Sequence, residues 1–152
     1  MLVVERGADL AAHVGKPLGT SDWLLIEQSR IDEFARVTGD DHWIHVDIER
    51  AAREMPGGKT IAHGLLTLSL SPILARSIYK IKMRGRGLNY GYNRVRFTGP
   101  VPVGSRIRLH QTLKALEPIA GANRITTELT FELEGVAKPV LVAEHVIVIY
   151  DK

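Results

Sequence analysis

The 152-residue chain contains no cysteine. That single absence removes disulfides, thiolate nucleophiles and cysteine-based zinc sites together. Long apolar runs are missing as well: no segment approaches the ~18–20 residues of a membrane span. The opening MLVVERGADLAAHVG holds no apolar stretch long enough for a signal peptide. Repeats, low-complexity tracts, a G-x-S-x-G nucleophile turn and an H-E-x-x-H metal helix are all absent. The expectation is one domain over residues 1–152, cytoplasmic, with no membrane association. The charge excess is small, a net +3. It suits an anionic small ligand and is too weak to imply nucleic acid. The basic run KIKMRGRG, residues 80–87, carries no interleaved aromatics and so makes no single-strand platform. It reads either as a solvated turn or, through Arg84 and Arg86, as a contact to ligand phosphates.

Against this plain background one segment is dense in chemistry. TGDDHWIHVD, residues 38–47, packs three acids and two histidines among Trp43, Ile44 and Val46. Upstream, Trp23 to Glu27 predicts a strand, and Ser29 followed by Asp32 marks a helix start. Ile31, Phe34 and Ala35 continue at helical spacing and Gly39 is the natural stop. Asp40 and His45 therefore follow a helix end, five positions apart, where both side chains can face one cleft and share a water. A carboxylate and an imidazole are a usual pair when water must lose a proton and carbon must gain one. The same spacing is equally compatible with Asp40 as a cap and His45 as a satisfied, half-buried ring. Asp40, Asp41, His42, His45 and Asp47 also form a potential nitrogen and oxygen ligand set, but Trp43 and Ile44 interrupt it and no metal is expected.

Glu49 to Glu54 predicts a short helix closed by Pro56-Gly57-Gly58. Thr60 to Ile81 predicts the longest helix, apolar on most sides and therefore buried, kinked at Pro72. Within it, His63-Gly64 forms an opening turn whose free N–H groups can face an anion or oxyanion; a glycine used for close packing fits as well. Ser69, with no nucleophile turn around it, is read as a core-facing hydroxyl. The period then changes to two. Leu88 to Phe97, Val103 to Ala115 and Arg124 to Glu134 predict strands, and Val140 to Tyr150, apolar on both faces, predicts a central one. The fold class expected is α+β, a sheet wrapped around a long buried helix.

With these residues in view the chain resembles the MaoC-like, (R)-specific enoyl-CoA hydratase family of hot-dog-fold proteins, over about Trp23 to Tyr150. The family's G-D-x-N-P-φ-H signature is matched by Gly39 to His45, preceded by Phe34. Its A/V-H-G opening of the central helix is matched by Ala62-His63-Gly64, and F-x-x-P-V-x-x-G by Phe97 to Gly104. The resemblance implies an antiparallel sheet around a central helix, and Asp40 and His45 as the catalytic pair on water. It implies Gly64 as the N–H donor to the thioester oxygen, with His63 beside it in substrate binding. It further implies an acyl-CoA substrate with no separate cofactor, and a homodimer joined through its sheets with the site at the interface. His42-Trp43 replaces the family's Asn-Pro, as in a subgroup related to nodulation protein N, so Trp43 is expected to narrow the acyl pocket. The implied reaction is reversible hydration of a trans-2-enoyl-CoA. An acyl-CoA-binding module without catalysis and a thioesterase are the alternatives on the same fold.

Overall fold

Alternation of apolar and polar residues from Arg106 onward dictates the main sheet. Ile107, Leu109 and Leu113 are fully buried while Arg106 and Lys114 face solvent, the half-wet pattern of an antiparallel strand. The computed structural model describes residues 1–152. Its strands are β1 (Leu2–Val4), β2 (Pro17–Thr20), β3 (Leu24–Leu25), β4 (Tyr79–Ile81), β5 (Arg84–Phe97), β6 (Arg106–Ile119), β7 (Ala122–Leu133) and β8 (Leu141–Asp151). Its α-helices are α1 (Gln28–Thr38), α2 (Trp43–Val46), α3 (Ile48–Glu54), α4 (Gly64–Ser69) and α5 (Ser71–Ala75), with a 3-10 helix at Gly7–His13. The sheet runs β2-β6-β7-β8-β5, all antiparallel, with β3 also paired to β6. As expected, β8 is interior, lying between β7 and β5. On the outer face Arg108 meets Glu132 across the β6–β7 register at 2.8 Å, and Lys114 meets Glu144 at 2.8 Å. Exposed pairs of this kind are worth little energy and serve mainly to favour this register.

The concave face packs on α4 and α5 through one cluster of 24 buried residues, including Leu66, Leu68 and Leu74 from the helices and Leu109, Leu129 and Phe131 from the sheet. The α+β class holds, with a correction to its centre. The helix expected over Thr60 to Ile81 is two short helices, α4 and α5, joined at Leu70. Pro72 has no N–H to give to the carbonyl of Leu68, and the Ser71 hydroxyl takes that carbonyl instead at 2.8 Å. Upstream, the chain runs extended: the Ala62 N–H is bonded to the Val101 carbonyl and the Val103 N–H to that of Thr60. Downstream, Tyr79 to Ile81 pairs in parallel with Leu2 to Val4. No helix is long and apolar enough to cross a membrane.

Candidate active site

The site is built from the end of α1. Gly39 takes the left-handed conformation (φ 77°) and gives its N–H to the Ala35 carbonyl at 2.8 Å, the usual glycine stop. Asp40 leaves this turn with its side chain exposed, and the single-turn helix α2 presents His45 inward. Capping of the next helix falls to Asp47, whose carboxylate accepts the Arg50 N–H at 2.9 Å; Asp40 is not a cap. Gln28 ties the parts together. Its amide N–H groups reach the His45 carbonyl and Asp32, each at 2.8 Å, and its oxygen accepts from the Thr60 hydroxyl.

The His45 ring is 8% exposed, and its Nδ1 lies 2.7 Å from the Ile61 carbonyl. A carbonyl only accepts, so Nδ1 carries the proton and the neutral ring keeps its lone pair at Nε2. Burial lowers the His45 pKa below the ordinary 6.5, and His63 and His42 add to that, while the Ile61 bond and Asp40 oppose it. His63 stacks on His45 with ring centres 3.8 Å apart and packs against Phe34 on another side. Its Nε2–H donates to the Asp40 backbone carbonyl at 2.8 Å, and its Nδ1 is buried and without a partner. His63 thus touches both expected catalytic residues. One side-chain donor atom from each of Asp40, His45 and His63 lies within 4.8 Å of the other two. That set could share a water or hold a divalent ion.

These three residues and Gly64 line one cleft of about 400 Å³. Gly64 opens α4, where the first N–H groups have no helical partner. A Cβ built there would stand 2.6 Å from the Phe97 ring, which is 51% exposed. Leu65 and Phe97 also line a second cavity of about 1050 Å³ between α5 and the sheet, so the two spaces share a wall. The remaining expected residues lie apart. Trp43 is outside the cleft lining and carries the Arg50 guanidinium 4.2 Å above its ring. Arg84 is on the rim of the larger cavity, and Arg86 sits 4.6 Å over Tyr150. Of the stretch expected as a basic turn, Lys80 and Ile81 end β4, Lys82 and Met83 make the turn, and Arg84 to Gly87 begin β5. Sequence reasoning missed Gln28 and Thr67, whose buried hydroxyl on the cleft wall has no partner, and placed Phe97 in a strand motif without giving it a part in the site. Gln28 and Thr67 gave no local signal, because their importance comes from contacts made by folding.

The family model for the MaoC-like domain matches residues 9–134. The chain is 48% identical to 3-hydroxyacyl-thioester dehydratase Z of Mycobacterium tuberculosis over 97% of both chains. It is 44% identical to nodulation protein N of Rhizobium leguminosarum bv. viciae, covering 93% of this chain and 89% of that one. The MaoC-like dehydratase of Rhodospirillum rubrum has the same fold, with a TM-score of 0.76 at 19% identity, over 98% of this chain and 99% of that one. A family match across most of the chain and near full-length relatives leave one conclusion: the chain belongs to the MaoC-like domain family.

Proposed function

We propose that the protein is a hydro-lyase, a 3-hydroxyacyl-thioester dehydratase that interconverts an (R)-3-hydroxyacyl-CoA and its trans-2-enoyl-CoA. One observation carries the reading. With Nδ1 of His45 committed to Ile61, the Asp40 carboxylate and His45 Nε2 are both acceptors facing one cleft. A water between them gives a hydrogen to each and turns a lone pair outward, toward C3 of an enoyl thioester. In hydration the water oxygen bonds to C3 as Asp40 takes its proton, and C2 gains a proton through the same pair, so H and OH are added in balance. Dehydration reverses each step. Addition at C3 drives negative charge onto the thioester oxygen, where the Gly64 N–H is the donor, and such preorganised donors are worth most against developing charge. His63 holds the Asp40 backbone and the His45 ring rather than the substrate. The acyl tail passes the Leu65–Phe97 wall into the larger cavity.

The active unit in this reading is a homodimer. The edge strand β5 spans 14 residues, with Leu88, Tyr90 and Phe97 each more than half exposed. A long edge of this kind is a template for pairing. Antiparallel pairing of two β5 strands about a two-fold axis sets the Arg84–Arg86 end of one copy beside the Phe97 end of the other. The cations then reach the mouth of the neighbouring cleft and the CoA phosphates.

Crotonyl-CoA tests the reaction directly. Loss of the enoyl absorbance is the expected result and persists after chelation, because water held by Asp40 and His45 needs no Lewis acid. Free CoA would instead make the protein a thioesterase, and no change would make it a binder. Asp40→Asn and His45→Ala should each fold and lose about 10²- to 10⁴-fold in turnover, the usual contribution of a general acid or base. Near-parental turnover in either variant overturns its role.

A further inference from the structure

The concave face of the sheet should be uniformly apolar where it lines the larger cavity, and it is not. In β6 the inward row Ile107, Leu109, Leu113 is interrupted by Gln111, 5% exposed; in β7 the row Ile125, Leu129, Phe131 is interrupted by Thr127, 1% exposed. In β8 the inward position opposite Thr127 is His145, and the β5 position opposite His145 is Tyr92. Thr127, His145 and Tyr92 thus stand at one level on three adjacent strands, and Gln111 stands one inward position along β6, opposite Leu129, so the four form an oblique lane across the sheet. Its members touch: Gln111 Nε2 reaches the Thr127 hydroxyl at 3.3 Å, Tyr92 and His145 stack at 4.5 Å, and His145 Nε2 meets Asn89 at 2.9 Å. The lane is also incomplete. The remaining polar atom of the Gln111 amide is buried and has no partner. Leaving such a group unpaired costs free energy, and turning the amide over only exchanges an unmet acceptor for an unmet donor. Gln111, Tyr92, His145 and Ser71 all line the cavity, among Leu68, Leu109, Leu129 and Ile147.

We propose that this cavity receives a bulky acyl tail carrying a second oxygen function, a hydroxyl or ketone, which Gln111, His145 and Tyr92 recognise, with Thr127 behind Gln111 as its bonded support. The proposal rests on the thioester reading above and adds the substrate class. The volume of about 1050 Å³ is at the upper end for small-molecule pockets and far exceeds what a four-carbon acyl group needs. The oxygen is uncharged because the lane holds no cation. Burial lowers the His145 pKa and raises that of Tyr92, keeping both neutral near pH 7, while Arg76, Lys80 and Arg84 stay on the exposed rim. A plain alkyl tail buries the same surface but leaves the Gln111 amide unmet.

The test compares trans-2-enoyl-CoA substrates of equal length, plain or hydroxylated at successive carbons of the tail. At one position the hydroxylated chain should exceed the plain one in kcat/KM by about tenfold, the upper range for a net hydrogen bond. In Gln111→Leu the ratio should fall toward one. Tyr92→Phe, which loses only a hydroxyl, should reduce it and carries the test if the first variant does not fold. Saturated acyl-CoA pairs, which cannot be hydrated, give the same comparison in Kd by calorimetry. Turnover of crotonyl-CoA with ratios of one at every position overturns the tail proposal alone. A Kd preference without turnover of any enoyl-CoA supports the lane and overturns the hydro-lyase reading. A larger gain from a terminal carboxylate, insensitive to Gln111→Leu, would move recognition to the rim cations and overturn the lane.

Discussion

At the scale of single residues, the protonation state of His45 is set before any substrate arrives. Its Nδ1–H is fixed on Ile61 and burial holds its pKa below 6.5, so the ring enters the reaction neutral with Nε2 as acceptor. The acid limb of kcat/KM should therefore lie below 6.5, with more than half of the activity retained where an exposed histidine is already half charged. The same shift has a consequence for stability. As pH falls, the unfolded chain takes up this proton first, so the contribution of His45 is intact above 6.5 and is lost as pH drops through the lowered folded value. His145, lowered by burial, acts in the same direction. A pH–rate profile and chemical unfolding at stepped pH check both. An acid limb at or above 6.5 would mean that another group controls the profile, and activity lost as pH rises through that range would make the charged ring the working form.

At the scale of elements, the turn into α4 shows how tightly the cleft is closed. Any side chain at position 64 meets the Phe97 ring, 2.6 Å from the first added carbon. Phe97 is half exposed and can swing outward, so Gly64→Ala should fold with a modest loss of stability. Turnover should fall by about 10² or more if the donor N–H is displaced from its place. The double variant Gly64→Ala with Phe97→Ala separates the causes. Recovery of activity means the ring alone was displaced, whereas continued loss with normal thermal stability assigns the effect to the N–H. Much of this element pattern could be read from the sequence. Gly39 ends α1 because only the left-handed conformation lets the chain turn to Asp40, and that requirement is local. The strands β6 and β7 follow from a period of two, and β8 from a run that is apolar on both faces. Helical spacing extends the central helix too far, because Ile78 and Ile81 fit it, yet both are buried by a turn and a short strand. That strand needs Leu2 to Val4 as its partner, a distant pairing no local pattern reports. Gln28 was illegible for the same reason: its partners Thr60 and His45 are brought to it only by the fold.

At the scale of the whole molecule, Arg84 rims the tail cavity and not the acid–histidine cleft of its own chain, and dimerisation would bring the basic end of β5 to the neighbouring cleft. Pairing of two β5 edges centred near Tyr90 sets Arg84 of one copy against Phe97 of the other, since antiparallel partners sum to a constant register. Light scattering should give twice the chain mass, and Tyr90→Lys, which sets two like charges close to the axis, should weaken it. Arg84→Gln with Arg86→Gln should raise KM for an enoyl-CoA and flatten its salt dependence with kcat little changed, because phosphate contacts are equal in ground and transition states. Complementation then decides whether the arginines act across the interface. In a mixed dimer of Asp40→Asn with the double-arginine variant, one cleft inherits both defects. The other combines an intact Asp40 with intact arginines from the opposite copy. Subunits mixed under exchange conditions should therefore regain low-KM turnover that neither parent dimer has. If the arginines serve their own chain's cleft, every site in the mixture keeps one defect and no such activity returns.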